Sequence, residues 1–252
     1  MINIDNVYQR VLFLANKEQR GYITPDEFNS FAAQAQIEIF ESYFLKAFQT
    51  GQAPGSTEDY ANPGEIVDEK ISYFDVFASV AKTTTNLDGG KPGYAYPEGF
   101  YRLDHVSVDS GERINPTSPT DLSRFPIMAD EISHRDSHYV NLSPLTRPTI
   151  TQPVYIREEG GVVLFPQSYD GDINMLYVRR PVDPNWGFLS DPMMNDGMPV
   201  YNMATSTNFE LHPSEEHELV YRILYLAGVT IKQQDLVQFG ASKTSEVTST
   251  EA

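Results

Sequence analysis

The 252-residue sequence contains no cysteine, which excludes disulfides, thiol catalysis and cysteine-based zinc sites. Basic residues are scarce: 18 Lys and Arg stand against 35 Asp and Glu, a formal charge of −17. A protein that grips a nucleic-acid backbone needs basic patches, and an anionic membrane repels an acidic surface. No apolar run approaches the roughly eighteen residues of a spanning helix, so no transmembrane segment is expected. The opening MINIDNVYQ has no basic stretch leading into an apolar one, so no secretory leader is expected and the sequon at Asn141–Ser143 carries no meaning. The nucleotide and hydrolase signatures GxxxxGK[ST], GxSxG and GxGxxG are also missing.

What is present suits a folded chain. Hydrophobic residues make up 40%, enough for a sizeable core in one large or two modest domains. Proline and glycine, 17 and 16, imply many turns and long connections.

The stretch NKEQRGYITPDEF, residues 16–28, invites comparison with a calcium loop. With Gly21 at the sixth position, Glu27 falls on the twelfth, where a bidentate carboxylate belongs. The fifth position decides against calcium, because Arg20 puts a cation where the ion needs oxygen. The same letters describe a turn between two helices. Gly21 suits a left-handed backbone at a helix end, Thr24 caps the next helix, Pro25 takes its first position, and Glu27 completes a capping box.

Apolar spacing predicts a first helix over 4–16 and a longer one over 25–48. The longer helix carries two stripes. One is Phe28, Ala32, Ala35, Ile39 and Tyr43; the other is Ile37, Phe40, Phe44 and Phe48. Residues 37 and 39 lie roughly 200° apart on a helix, so the stripes face different ways. The second stripe is either intrachain core or the candidate subunit interface. Residues 49–66 read as linker, and 67–80 as a short helix or mixed extended structure. Strands are expected over 101–108 and 173–179, with a hairpin over 154–165 turning at Gly160–Gly161. Residues 183–210 read as irregular. A final helix starts beside Pro213 and is apolar on nearly every face from Leu219 through Ile223 and Leu226 to Ile231, which marks it as buried. The expected fold is α+β: an N-terminal helix hairpin and a long C-terminal helix packed as a helical bundle, with a small antiparallel β region inserted in the middle. The boundaries are 1–82 for the N-terminal helical part with its linker, 98–182 for the β region, 209–239 for the C-terminal helix and 240–252 for a flexible tail.

Chemistry-bearing patterns are thin. His134 and His138 have i, i+4 spacing, but zinc needs a third ligand on the same face. His212 and His217 flank a helix start and suit contacts to helix ends or glutamates. Acidic pairs such as Glu158–Glu159 and Glu215–Glu216 are expected by chance in so acidic a chain, and neighbours in sequence do not make a cleft. No catalytic, cofactor-binding or metal-binding residue is assigned, and no cofactor is expected. The alternatives carried are a carbohydrate- or protein-binding module acting through the β region, and a hydrolase of unrecognised type.

The segments 7–44 and 209–236, together with Pro97-Glu98-Gly99-Phe100-Tyr101-Arg102-Leu103, carry a resemblance. Their order resembles the head-to-tail connector, or adaptor, proteins of short-tailed bacteriophages, of the tail tubular protein A type. The resemblance implies a virion structural protein, assembled in the host cytoplasm as a homo-oligomeric, commonly dodecameric, ring. It implies docking under the portal protein, contact with a downstream tail or nozzle ring protein, and double-stranded DNA passing through without specific binding. The family supplies no catalytic residue to carry over. This chain is longer than the best-known members, with 49–97 and 183–208 as candidate insertions.

Overall fold

Thr24 caps the start of the longest helix among the described residues. Its hydroxyl oxygen accepts from the Glu27 backbone N–H at 3.4 Å, while the Glu27 carboxylate accepts from the Thr24 backbone N–H at 3.0 Å. This reciprocal arrangement satisfies N–H groups that a helix start otherwise leaves unpaired, and Pro25 follows at the first helical position. The computed structural model describes residues 1–17, 23–52, 63–83, 92–113, 124–190, 199–230, 242–243 and 245. Gly21 and Ile231, and with them the turn glycine and the last core position of the final helix, lie outside the described residues.

The chain divides into two units, Met1–Tyr73 with Pro181–Ala252, and Phe74–Arg180. The first holds α1 (Ile4–Lys17), α2 (Pro25–Gln52), α3 (Pro63–Ser72) and α5 (Glu216–Thr230). The α2 stripe Phe28, Ala32, Ala35, Ile39 and Tyr43 is buried throughout, as are Val7, Val11 and Ala15 of α1 and Leu219 and Ile223 of α5. The segment after Pro181 joins the same core. Trp186, Phe209 and Leu211 are buried, and the Tyr8 ring lies 4.7 Å from Phe28 and 4.4 Å from Trp186. A two-stranded ribbon of β8 (Phe188–Leu189) and β9 (Val200–Tyr201) and 3-10 turns at Met203–Thr205 and Pro213–Glu215 complete the unit.

The second unit is one sheet of seven strands: β1 (Asp75–Val80), β2 (Tyr94–Ala95), β3 (Phe100–Arg113), β4 (Arg124–Glu131), β5 (Val154–Glu158), β6 (Gly161–Phe165) and β7 (Ile173–Arg179). Their spatial order is β1-β7-β3-β4-β5-β6-β2. Alternation builds its inner layer: Ile173, Met175 and Tyr177 of β7 point to the same side as Val106 and Val108 of β3 and Leu164 and Val162 of β6. The β5–β6 turn needs a left-handed residue, and Gly160 supplies it at φ 86°. The two ends of the strand order meet. Thr83 N–H donates to Gly93 O at 2.9 Å beside β2, and the Tyr94 hydroxyl donates to Gly171 O at 2.9 Å ahead of β7. Lys82 Nζ, just beyond β1, donates to the carbonyls of Gln167 and Tyr169 between β6 and β7. The sheet therefore curls into a near-barrel. Helix α4 (His134–Leu142) lies within this unit, capped by Ser133.

The expected helical bundle with a small antiparallel insert is corrected by this architecture. The β part is a large, near-barrel sheet of seven strands, and its β4–β5 pair is parallel. Among the described residues the five helices α1–α5 are dispersed, one of them in the sheet unit. Two local patterns account for the error. Residues 67–80 contain both the end of α3 and the alternating DVFASV of β1, which blur into one ambiguous run. Residues 183–210, read as irregular, carry Trp186 and Phe209 into the helical core through single β-bridges, Asn185 to Thr207 and Ile2 to Phe209, too short to leave a periodic signal.

Candidate interaction surface

In the helical unit, α1 and α5 lie side by side, and their outward faces leave a groove of about 720 Å³. Leu12, Phe13 and Leu14 line it from α1, and Val220 and Tyr221 from α5. Residues one, three or four apart on these helices form ridges, and the space between two such ridges is where a third helix packs. Phe13 is 66% exposed, unusual for a phenylalanine on a helix that is otherwise amphipathic. At the groove's rim Arg10 Nη1 meets Glu216 Oε1 at 2.7 Å, tying the two helices together while leaving half of the arginine side chain in solvent. The lining is completed by Gln9 and His217, so it contains no carboxylate.

The second apolar surface of this unit is the last part of α2. The residues of the expected interface stripe separate here. Phe40 is buried in the core of its own chain, Ile37 and Phe44 are half-buried, and Phe48 is 67% exposed. Phe40 and Phe44 pack edge to face at 5.2 Å. The outward ridge is instead Glu41, Leu45 and Phe48, with i, i+4, i+7 spacing; all three are exposed, Leu45 at 66%. Sequence reasoning missed Leu45 because Glu41 interrupts the apolar stripe, and passed over Phe13, which falls outside the buried Val7, Val11 and Ala15 stripe of α1.

Of the other expected positions, Thr24, Pro25 and Glu27 form the α2 cap, Leu219 and Ile223 are buried and Leu226 is half-buried. His134 and His138 lie on α4, which has no buried residue. His212 Nδ1 accepts from the Ser214 backbone N–H at 3.2 Å, closing the turn ahead of α5. Among the described residues, no group of three or more His, Asp or Glu could hold a metal ion, and no helix is long and apolar enough to cross a membrane.

The helical unit also buries an ionic cluster. Lys70 Nζ of α3 lies 2.5 Å from Glu215 Oε1, and both side chains are out of solvent. One helical turn further on, Arg222 binds the buried Glu218 at 2.6 Å and reaches Glu38 of α2 at 3.5 Å. The first pair joins α3 to the 3-10 turn ahead of α5 and the second joins α5 to α2, as fixed struts.

In the sheet unit, a polar and aromatic cluster lies at β4, β5 and the start of β3. Arg157 Nη2 donates to Glu131 Oε2 at 2.6 Å, and the Tyr155 hydroxyl donates to the same oxygen at 3.3 Å. Tyr96 stacks on Phe100 at 3.9 Å. Burial pushes the phenols of Tyr96 and Tyr155 above the usual tyrosine range, so both stay protonated at neutral pH. A sugar platform needs an open ring face. Here Tyr96 and Phe100 cover one face of each other and pack against the sheet core. No protein-family model matches the chain, and no match was found among curated proteins.

Proposed function

We propose that this chain is a structural ring subunit of the head-to-tail neck of a short-tailed bacteriophage. It docks under the portal, meets a downstream tail ring and lets double-stranded DNA pass. The observation that carries the reading is the combination of exposed apolar helical positions, Phe13 on α1 and Leu45 and Phe48 on α2, with a strongly acidic chain. Phe13 and Phe48 are 66% and 67% exposed, and exposed large apolar side chains on helices suit a chain that works in an assembly. The charge of −17 suits a wall that DNA passes without sticking, because a basic wall would hold each phosphate it met. The resemblance of residues 7–44 and 209–236 to connector proteins supplies the particular assembly.

The test is electron microscopy of the purified chain, alone and mixed with the portal and tail proteins of its own genome. Closed rings that stack on the portal are expected. A chain that stays monomeric with the portal present would overturn the reading. In a gel shift at about 150 mM salt, where charges are screened beyond roughly 8 Å, no binding to double-stranded DNA is expected. Micromolar, sequence-independent binding would count against a DNA channel.

A further inference from the structure

From helix α4 we infer that this helix and the turn after it dock on the outer face of α3 in the next copy of the chain, and that this junction builds the ring. The inference rests on the ring reading and names the contact that makes it.

Helix α4 is nine residues long and none of them is buried. Its inner side is Ser137, Val140 and Asn141, all half-buried, so little apolar area ties it to its own unit. Its opposite side is a ridge of Arg135, Tyr139 and Leu142, with i, i+4, i+7 spacing. Tyr139 is 63% exposed, Leu142 69%, and Leu145 just past the helix 94%. Large apolar side chains grouped in solvent in this way mark an interaction surface.

Charge indicates what covers it. From Ile132 to Gln152 the sequence holds one acid, Asp136, against Arg135 and Arg147, in a chain with 35 acids. Asp136 lies roughly 100° round the helix from Arg135 and accepts from the Ser133 hydroxyl at 2.7 Å. Arg10, Arg157 and Arg222 are each paired with a glutamate. Arg135 and Arg147 have no carboxylate partner among the described residues.

Helix α3 presents the complement. Glu65, Asp68 and Glu69 are exposed and have no basic partner among the described residues. Ile66 and Tyr73 border them, 46% and 48% exposed. Lys70, the one basic residue of α3, is turned away and buried against Glu215. An acidic face with apolar borders thus matches a basic ridge with apolar neighbours. Two copies of so acidic a chain repel over most of their surfaces, and this pairing sets unneutralised opposite charges against each other. The two patches differ, so the contact is head-to-tail, and such a contact closes into a ring when its rotation allows.

Charge reversal provides the experiment. Arg135→Glu with Arg147→Glu reverses the ridge, and Asp68→Lys with Glu69→Lys reverses the α3 face. All four side chains are exposed, so each variant should keep the wild-type circular dichroism melt. Each reversal alone should raise the concentration needed for ring formation about tenfold or more, read by sedimentation. All four changes in one chain put opposite charges back across the junction and should restore assembly.

If wild-type chains form rings and both reversed variants form them as readily, the inference is overturned and the ring reading stands. If each reversal weakens assembly and the fourfold variant stays as weak, the two faces do not meet, and the inference is overturned again. If the wild type forms no ring, alone or with the portal, both fall. A basic ridge also suits a nucleic acid. A gel shift in which wild type binds double-stranded DNA and Arg135→Glu with Arg147→Glu does not would overturn the inference in favour of that ligand.

Discussion

The helical unit and the sheet unit solve the same problem by different means. The sheet unit is one continuous stretch, Phe74–Arg180, and the Arg179 N–H donates to Phe74 O at 2.9 Å where the chain starts and leaves it. Its order comes from backbone ladders, whose register follows from alternation and turns. The helical unit joins Met1–Tyr73 to the chain beyond Pro181. It is tied by single side chains reaching across more than 140 positions of sequence. Gln36 Nε2 donates to Val182 O at 2.7 Å while its Oε1 accepts from Glu210 N at 3.1 Å. Trp186 Nε1 donates to Asp5 at 3.0 Å, and Asn208 Oδ1 accepts from Ile4 N at 3.1 Å. The buried polar residues follow this division. Gln36, Lys70, Glu215 and Glu218 belong to the helical unit, and Ser107 alone to the sheet unit, among the described residues. A ladder tolerates the loss of one side chain; a set of struts does not.

The largest effect expected from this contrast is all-or-none. Residues 74–180 expressed alone should fold, with a strand-type circular dichroism spectrum and a cooperative melt, because their contacts close within one stretch. Residues 1–73 alone should give no cooperative melt, because their core lacks Trp186, Phe209, Leu219 and Ile223. A well-folded 1–73 fragment would remove the distinction between the units.

Next in size is the Lys70–Glu215 pair. Lys70→Ala removes the cation 2.5 Å from the buried Glu215 carboxylate and should cost about 3–5 kcal/mol. Lys70→Met together with Glu215→Leu should recover most of that loss, since the expense of a broken pair lies in the orphaned charge. Urea unfolding followed by Trp186 fluorescence reads this unit selectively, because the only tryptophan sits in its core. A double variant as unstable as the single would mean that the pair supplies net stability beyond avoiding an orphan.

Gln36→Leu should cost about 1–3 kcal/mol by the same probe, since it strands the Val182 carbonyl and the Glu210 N–H together. A loss no larger than that of an exposed substitution would show that water replaces the amide.

The same contrast sets what the sequence reveals. Helix starts, the α2 core stripe and the β5–β6 hairpin are local, and each leaves a period or a turn signal that a reader can count. Thr24, Pro25 and Glu27 stand where their spacing puts them. The size of the sheet was hidden because β1 and β2 are short, and because β1 follows α3 without a turn motif to separate them. The struts were hidden for another reason: Lys70 and Glu215 look like ordinary surface residues, and only the fold brings them together. The candidate surface was half legible. The far end of α2 was singled out, but the face that points outward depends on which stripe the core takes, and the core took Phe40.

The smallest effect separates the two units by pH. The Glu27 carboxylate is held below its usual range, first by the Thr24 backbone N–H and then by the Thr24 hydroxyl, which donates at 2.8 Å. A carboxylate whose folded pKa is depressed contributes stability that is full above its unfolded value, about 4.3, and is lost as pH falls through the folded value. Glu27 is exposed, so solvent screening keeps the contribution small. Glu27→Ala should therefore destabilise by about 0.5–1 kcal/mol at pH 7, and the difference from wild type should shrink as the carboxylate is protonated in acid. The sheet unit's counterpart is the Gly160 turn, which uses backbone conformation and no titratable group. Gly160→Ala forces a side chain into the left-handed region at a cost of about 1 kcal/mol, and that cost should be the same at both pH values. Urea titrations of both variants at pH 7 and pH 3 check the pair. A Glu27→Ala penalty that persists undiminished in acid would mean that the side chain holds the helix start by packing and that its charge contributes nothing.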